Sequence, residues 1–260
     1  MSAPTRAAAT AERNPVVRAL ARVGLATIGL LHILIGAIAV AIAAGGSGDA
    51  DQSGALQAVV AVPGGLFAVW LAAAGLIVLA LWQILVAMRA QRTGTRLVEL
   101  GKCMLYAALA ALAISIALGG SHDSSSSEKT LSARLLAQPG GVFVLAIVGL
   151  AIIAGGVVFL RNGITRRFER DLRLPPNALA EVTTTLGRVG YIAKGVALLL
   201  VGGLVVAGAV TIDPGKAGGL DGSLKALVGL PFGPVLLILI AVGLIAYGVF
   251  WLVRSVAARL

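Results

Sequence analysis

The chain has 260 residues, 58% hydrophobic and 12% charged, with 34 glycines, nine prolines, one cysteine and a formal net charge of +10 at pH 7. Globular chains average about 45–50% apolar and about 25% charged residues, so this composition excludes a water-soluble domain, and with it disorder, collagen, a disulfide scaffold and a coiled coil. What it fits is closely packed membrane helices, in which small side chains let backbones approach.

Residues 1–16 read as a disordered cytoplasmic N-terminus. After it come six apolar stretches: Val23–Ala44, Leu66–Met88, Cys103–Leu118, Val142–Leu160, Val189–Ile212 and Val235–Val253. Crossing a hydrocarbon core of about 30 Å at 1.5 Å per residue takes about 20 residues. The third stretch reaches that length only if Leu97–Lys102 continues it through the headgroup zone. The first follows Arg13, Arg18 and Arg22, as a signal peptide would, but its apolar core exceeds the usual h-region of about 7–15 residues, so it is kept as a span. Trp82 and Trp251 read as interface-belt residues.

Seventeen of the 21 lysines and arginines flank one side of these spans; only Lys129, Arg134, Lys216 and Lys225 lie on the other. The positive-inside rule then puts both termini in the cytoplasm. With the acids counted, the inner face carries +12 and the outer face −2. The basicity reports orientation and attraction to anionic lipid headgroups rather than nucleic-acid binding.

A three-fold internal repeat organises the spans. Arg22-Val23-Gly24, Gly29 and Gly36 recur as Arg188-Val189-Gly190, Gly195 and Gly202, while the third span keeps only Gly101-Lys102. Before each returning span stands a short amphipathic turn and then a proline with glycine: Leu56–Val60 before Pro63-Gly64-Gly65, Ala133–Leu136 before Pro139-Gly140-Gly141, and Leu224–Val228 before Pro231-Phe232-Gly233-Pro234. A Gly-Leu pair follows at Gly75, Gly149 and Gly243; the second is two residues nearer its proline, which predicts a bulge or a shifted helix. The fold class expected is an all-α membrane protein: six transmembrane helices as three tandem parallel helical hairpins, pseudo-three-fold about the membrane normal. Repeat 1 spans 17–90, repeat 2 spans 97–160 and repeat 3 spans 186–256, with a basic linker at 161–176.

This pattern, over about Val17 to Val256, resembles the bacterial membrane family called domain of unknown function 1206. The resemblance implies a fold and a location in the bacterial plasma membrane, and no catalytic residues.

Ionisable groups inside a span are functional candidates because an unpaired one is costly. His32 lies near the middle of the first span, bordered by Gly29 and Gly36 at helical spacing, and Lys194 lies about two turns into the fifth. For His32 the readings are a satisfied structural histidine, a proton relay or ligand contact, or metal ligation, for which the only other histidine, His122, has no matching depth. Thr27, Ser115, Tyr106 and Tyr191 are candidate partners. Lys194 either snorkels to the headgroups or faces inward to an anion or lipid headgroup. In the linker, Ile164, Phe168 and Leu172 recur at helical spacing with Arg166, Arg167, Arg170 and Arg173 elsewhere, which predicts a basic amphipathic helix on the inner leaflet, ended by Pro175-Pro176, whose arginines either recognise anionic lipid headgroups or belong to a helix extension that only orients the topology. Glu99 and Lys102 read as an interfacial pair. Ser124–Ser127 reads as a flexible outer loop, and the outer acids Asp49, Asp51, Asp213 and Asp221 lack the ligand order of a calcium site. Cys103 reads as a small buried apolar residue.

No catalytic constellation, cofactor motif or metal cluster is visible. The function expected is that of a non-enzymatic polytopic membrane protein that binds or passes a small ion, proton or lipid within the bundle, with membrane lipids as partners. The alternative is an accessory subunit that binds a membrane-protein partner through glycine-lined grooves.

Overall fold

The computed structural model describes residues 15–90, 93–120, 123–171 and 178–257, and its regular structure is helical, with no strand among the described residues. The α-helices in chain order are α1 (Pro15–Ala43), α2 (Gln52–Val60), α3 (Gly65–Arg89), α4 (Thr93–Ala117), α5 (Ser124–Leu136), α6 (Gly141–Ile164), α7 (Ala178–Thr211), α8 (Gly219–Val228) and α9 (Gly233–Ala257). Short 3-10 turns cover Arg167–Asp171 and Pro214–Lys216. Six helices contain segments long and apolar enough to cross a membrane: Ala19–Ala43, Gly65–Arg89, Thr93–Ala117, Gly141–Ile164, Ala180–Thr211 and Gly233–Ala257. The third is therefore a full-length helix in which Glu99 and Lys102 form an exposed pair at 2.8 Å one turn apart. Cys103, on the next residue, is half-buried.

Each returning span begins at the same joint. Gly64 and Gly140 cap α3 and α6 with φ of 78° each, and Phe232 occupies that place before α9 at φ 60°. The following glycine donates its N–H to the carbonyl three residues back: Gly65 to Val62 at 2.9 Å, Gly141 to Gln138 at 3.0 Å, Gly233 to Leu230 at 2.8 Å. A Cβ on any of the three would collide with the carbonyl of Val59, Leu135 or Leu227. The Pro-x-Gly motif thus states a left-handed turn followed by a backbone too close for any side chain.

Where structure and sequence reading part, local chemistry gives the reason. Ser124–Ser127 is the first turn of α5 rather than a flexible loop, because Asp123 caps it, its Oδ1 accepting from Ser126 N at 3.0 Å. The bonds with Ser126 hold the Asp123 carboxyl below its usual value. The shorter second repeat has no bulge. The helix α6 is unbroken and keeps register from its proline, so Gly149, Ile153 and Gly156 stand where Ala241, Ile245 and Gly248 stand in α9. The linker is not one amphipathic helix: α6 ends at Ile164, Arg166 turns left-handed at φ 51°, and a 3-10 turn follows. Ile164 is left exposed and Phe168 buried, so the two do not share a face toward lipid. Residues 1–14, His122, Leu172, Arg173 and Pro175-Pro176 lie outside the described residues, as does the side chain of Arg170.

The chain divides into two compact units, one of residues 1–28, 56–121 and 251–260, the other of 29–55 and 122–250. In the first, α1 meets α3 at a glycine pair: a Cβ on Gly24 would lie 2.6 Å from the Gly75 carbonyl oxygen. Its Trp251 is buried, under the Arg254 guanidinium at 4.7 Å from the ring centre, and so is no lipid-facing belt residue. In the second, α7 meets α6 at Gly202 with Gly149 and at Gly195 with Gly156, and α1 meets α9 at Gly36 with Ala241 and at Gly29 with Gly248. Helices in lipid gain little from burying apolar surface, so contact at this range is what holds them.

The joint predicts a sign reversal among the repeats. Gly64→Ala and Gly140→Ala, whose added methyl meets nothing, should each cost about 1 kcal/mol through backbone strain alone. Phe232 is 82% exposed, so Phe232→Gly should raise stability by about 1 kcal/mol. Unfolding of the detergent-solubilised chain would measure all three.

Candidate functional site

One face of α7 carries Thr183, Gly187, Gly190 and Lys194, spaced three or four residues apart, with Tyr191 four residues after Gly187, and it builds the site. Gly187 makes room for two rings: a Cβ there would lie 2.5 Å from Phe168 Cε2 and 2.9 Å from Phe250 Cδ2. Gly190 does the same for α9, since a Cβ would lie 2.6 Å from the backbone N of Tyr247. Into this space Tyr191 inserts its ring, 8% exposed, stacked on Phe168 at 5.0 Å and on Phe159 at 5.5 Å. Phe250, fully buried, stands edge-on to Phe168 at 5.2 Å.

Tyr247 connects this cluster to α1. Its ring is edge-on to Tyr191 at 5.3 Å and 84°, and edge-on to His32 at 4.9 Å and 70°. Such edge-to-face pairs contribute about 0.5–1.5 kcal/mol beyond the area they bury. His32 is 9% exposed, flanked one turn to either side by the contacts of Gly29 with Gly248 and of Gly36 with Ala241. The imidazole is thus held between two close contacts of α1 with α9.

Two of the residues singled out from sequence, His32 and Tyr191, therefore share one aromatic cluster through Tyr247. Lys194 is half-buried, one turn along α7 from Tyr191, and no hydrogen bond or ion pair joins it to another described residue. Thr27 uses its hydroxyl on its own helix, donating to the Val23 carbonyl at 2.9 Å. Tyr106 and Ser115 lie on α4, in the other unit. Arg166 and Arg167 are exposed at the turn beyond α6. Tyr247 was missed because a lone tyrosine in an apolar span gives no periodic signal; its position one residue before Gly248, the glycine that meets Gly29, was the available clue.

The site's chemistry is one imidazole, two phenols and one ammonium among apolar walls. No group of three or more His, Cys, Asp or Glu among the described residues is arranged for a metal ion. In the second unit the spans carry no carboxylate apart from the exposed Glu181 at the start of α7.

Six helices long and apolar enough to cross a membrane define the class: a multi-pass helical membrane protein. More narrowly, the chain belongs to the family described as Domain of Unknown Function (DUF1206), whose model matches it three times, at residues 23–90, 100–166 and 189–258. It is similar to the uncharacterized protein YxxB of Bacillus subtilis (strain 168), at 30% identity over 255 residues that cover 94% of this chain and 92% of that one. No solved structure matches.

Two measurements test the packing of the site. A double-mutant cycle of His32→Ala and Tyr247→Ala should return a coupling of about 0.5–1.5 kcal/mol in unfolding free energy. Gly190→Ala should cost about 1–3 kcal/mol by overpacking, whereas Gly203→Ala, whose methyl meets open space, should be neutral or stabilising.

Proposed function

We propose that this chain is a non-enzymatic protein of the bacterial plasma membrane, with both termini cytoplasmic, that binds a small anion within its helix bundle beside Lys194 and His32. The observation that carries this reading is Lys194: a half-buried ammonium one turn from the Tyr191 cluster, with no ionic partner among the described residues. A cation inside a span calls for a counter-charge, and the spans of this unit hold no buried carboxylate to provide one. A bound anion meets that need, with Tyr191 and Tyr247 as neutral donors and His32 able to add charge when protonated.

The three-fold closure of the hairpins belongs to the same reading. Its support is the equivalence of contacts: Gly29 and Gly36 meet the returning helix α9 as Gly195 and Gly202 meet the returning helix α6, at matching register positions. The excess of Lys and Arg on one set of loops supports the orientation. Arg166 and Arg167, exposed at the end of α6, suit contact with anionic headgroups. The accessory-subunit reading is weaker, because the glycines at positions 24, 29 and 36 are occupied by the chain's own helices. Open glycines such as Gly101 and Gly155 are what it retains.

The test is thermal unfolding in nanodiscs against chloride, nitrate and phosphate at fixed ionic strength. A bound anion at a hundred times its Kd should stabilise the chain by about 2.7 kcal/mol. Lys194→Met, which keeps the stem and removes the charge, should abolish that gain, and His32→Ala should weaken it. If Lys194→Met folds and responds to every anion as the parent does, the anion reading fails. A stoichiometric membrane protein recovered by gentle detergent pull-down would favour the accessory subunit instead.

A further inference from the structure

Away from the spans, in the second unit, acidic side chains from all three repeats gather where the segment before α2, the helix α5 and the helix α8 meet. Asp221, 2% exposed, accepts from Ala50 N at 2.9 Å with Oδ1 and from Lys225 Nζ at 2.8 Å with Oδ2. Lys225 also donates to Asp49 Oδ1 at 3.0 Å. The bonds of Asp221 to Ala50 and of Lys225 to Asp49 link residues more than 170 positions apart. Asp51, also 2% exposed, caps α2, its Oδ1 accepting from Ser53 Oγ at 2.7 Å and Gly54 N at 3.0 Å. Its Oδ2 is buried with no hydrogen-bond partner among the described residues.

The third contributor is Glu128 of α5. The residue as a whole is exposed, yet its carboxylate lies on Gly219, the first residue of α8, where a Cβ would collide with both carboxylate oxygens. Gly219 has φ 59°, so glycine is required there twice over, by backbone and by contact. Lys225 is already shared by Asp221 and Asp49, and no other ammonium bridges these acids among the described residues.

We propose that this junction is a pH-sensitive clasp: a proton on the Glu128 carboxyl seats α5 on α8, and loss of that proton lets α5 part from it. An ionised Glu128 would face Asp51 and Asp221, and the neighbouring Lys129 forms an ion pair with none of these acids among the described residues. Burial first, then the charges of Asp51, Asp221 and Asp123, push its carboxyl from the usual 4.5 up to about 7. Lys225 moves the opposite way from what its desolvation alone would do, raised by its bonds to Asp221 and Asp49, and so stays charged and committed. The other charged groups around α5 are Lys129 and Arg134 on the same helix, the first with its stem against Gly218 and the second exposed in the last turn, and the Lys216–Asp213 pair at 4.0 Å on the neighbouring 3-10 turn. The adjoining α6 carries no titratable side chain before Arg161.

The direction follows from proton linkage. The seated form binds the proton more tightly than the released form, so seating is complete below about pH 4.5 and is lost as pH rises through about 7. The clasp is independent of any anion at Lys194.

Hydrogen exchange of the full chain in nanodiscs, normalised to unstructured rates, reads the seating of α5 directly. Allowing for solvent screening at this exposed residue, protection of α5 should fall about tenfold between pH 5.5 and pH 8 while that of α6 stays constant. Glu128→Gln should leave α5 protected at every pH. Asp51→Asn, which removes one repelling charge, should move the midpoint to lower pH. A flat parental profile would overturn the proposal, as would a Glu128→Gln variant that keeps the parental midpoint. Should Glu128→Gln fail to fold, Asp51→Asn decides: a lowered midpoint supports the clasp and an unchanged one rejects it.

Discussion

Close backbone approach at glycine is the interaction on which the rest of this molecule depends. In hydrocarbon, apolar surface gains nothing by leaving lipid for another apolar surface, so helices associate through van der Waals contact and the few polar bonds available. The pairs Gly24 with Gly75, Gly149 with Gly202, and Gly156 with Gly195 bring backbones to a range that a single methyl group would forbid. The site inherits its shape from the same device. Gly187 and Gly190 clear the volume that Phe168, Phe250 and Tyr247 fill, and the contacts of Gly29 and Gly36 fix the height at which His32 is held.

Polar chemistry is then divided by solvent. Buried inside the spans of the second unit it is sparse and carries no carboxylate: an imidazole on a phenol, a second phenol, and a half-buried lysine. Outside them, where water can screen charge, it is dense and structural. There Asp221 and Lys225 join segments far apart in sequence, and Asp51 and Asp123 cap the helices that follow them. The returning helices start at a joint whose chemistry is the same in all three repeats, although the third sets a phenylalanine in the left-handed place that the others give to glycine.

Much of this was legible beforehand. The six spans follow from hydropathy and length, and the tandem hairpins from the recurrence of Pro-x-Gly and of the glycines at 24, 29 and 36. The left-handed joint itself is nearly written in Pro63-Gly64-Gly65. Other features were hidden for identifiable reasons. The serine run at 124–127 has loop composition, and only the Asp123 cap makes it a helix. The glycine at 149 looked displaced because it was aligned on a Gly-Leu pair rather than on the neighbour it meets; in space its counterpart is Ala241. Phe168 has the spacing of a lipid-facing stripe, yet the left-handed Arg166 turns it into the aromatic cluster.

The sequence alone therefore determined the medium, the number of crossings and the repeating unit, because each depends on local length, polarity and backbone freedom. Which polar side chains meet was decided only by tertiary structure. His32 and Tyr247 are more than 200 residues apart, and Asp221 lies 171 residues from the Ala50 N–H it binds, so no local pattern encodes either pairing. The first arises where two helices cross, at a crossing set by the glycines that let two backbones touch, and the second where the segment before α2 reaches α8.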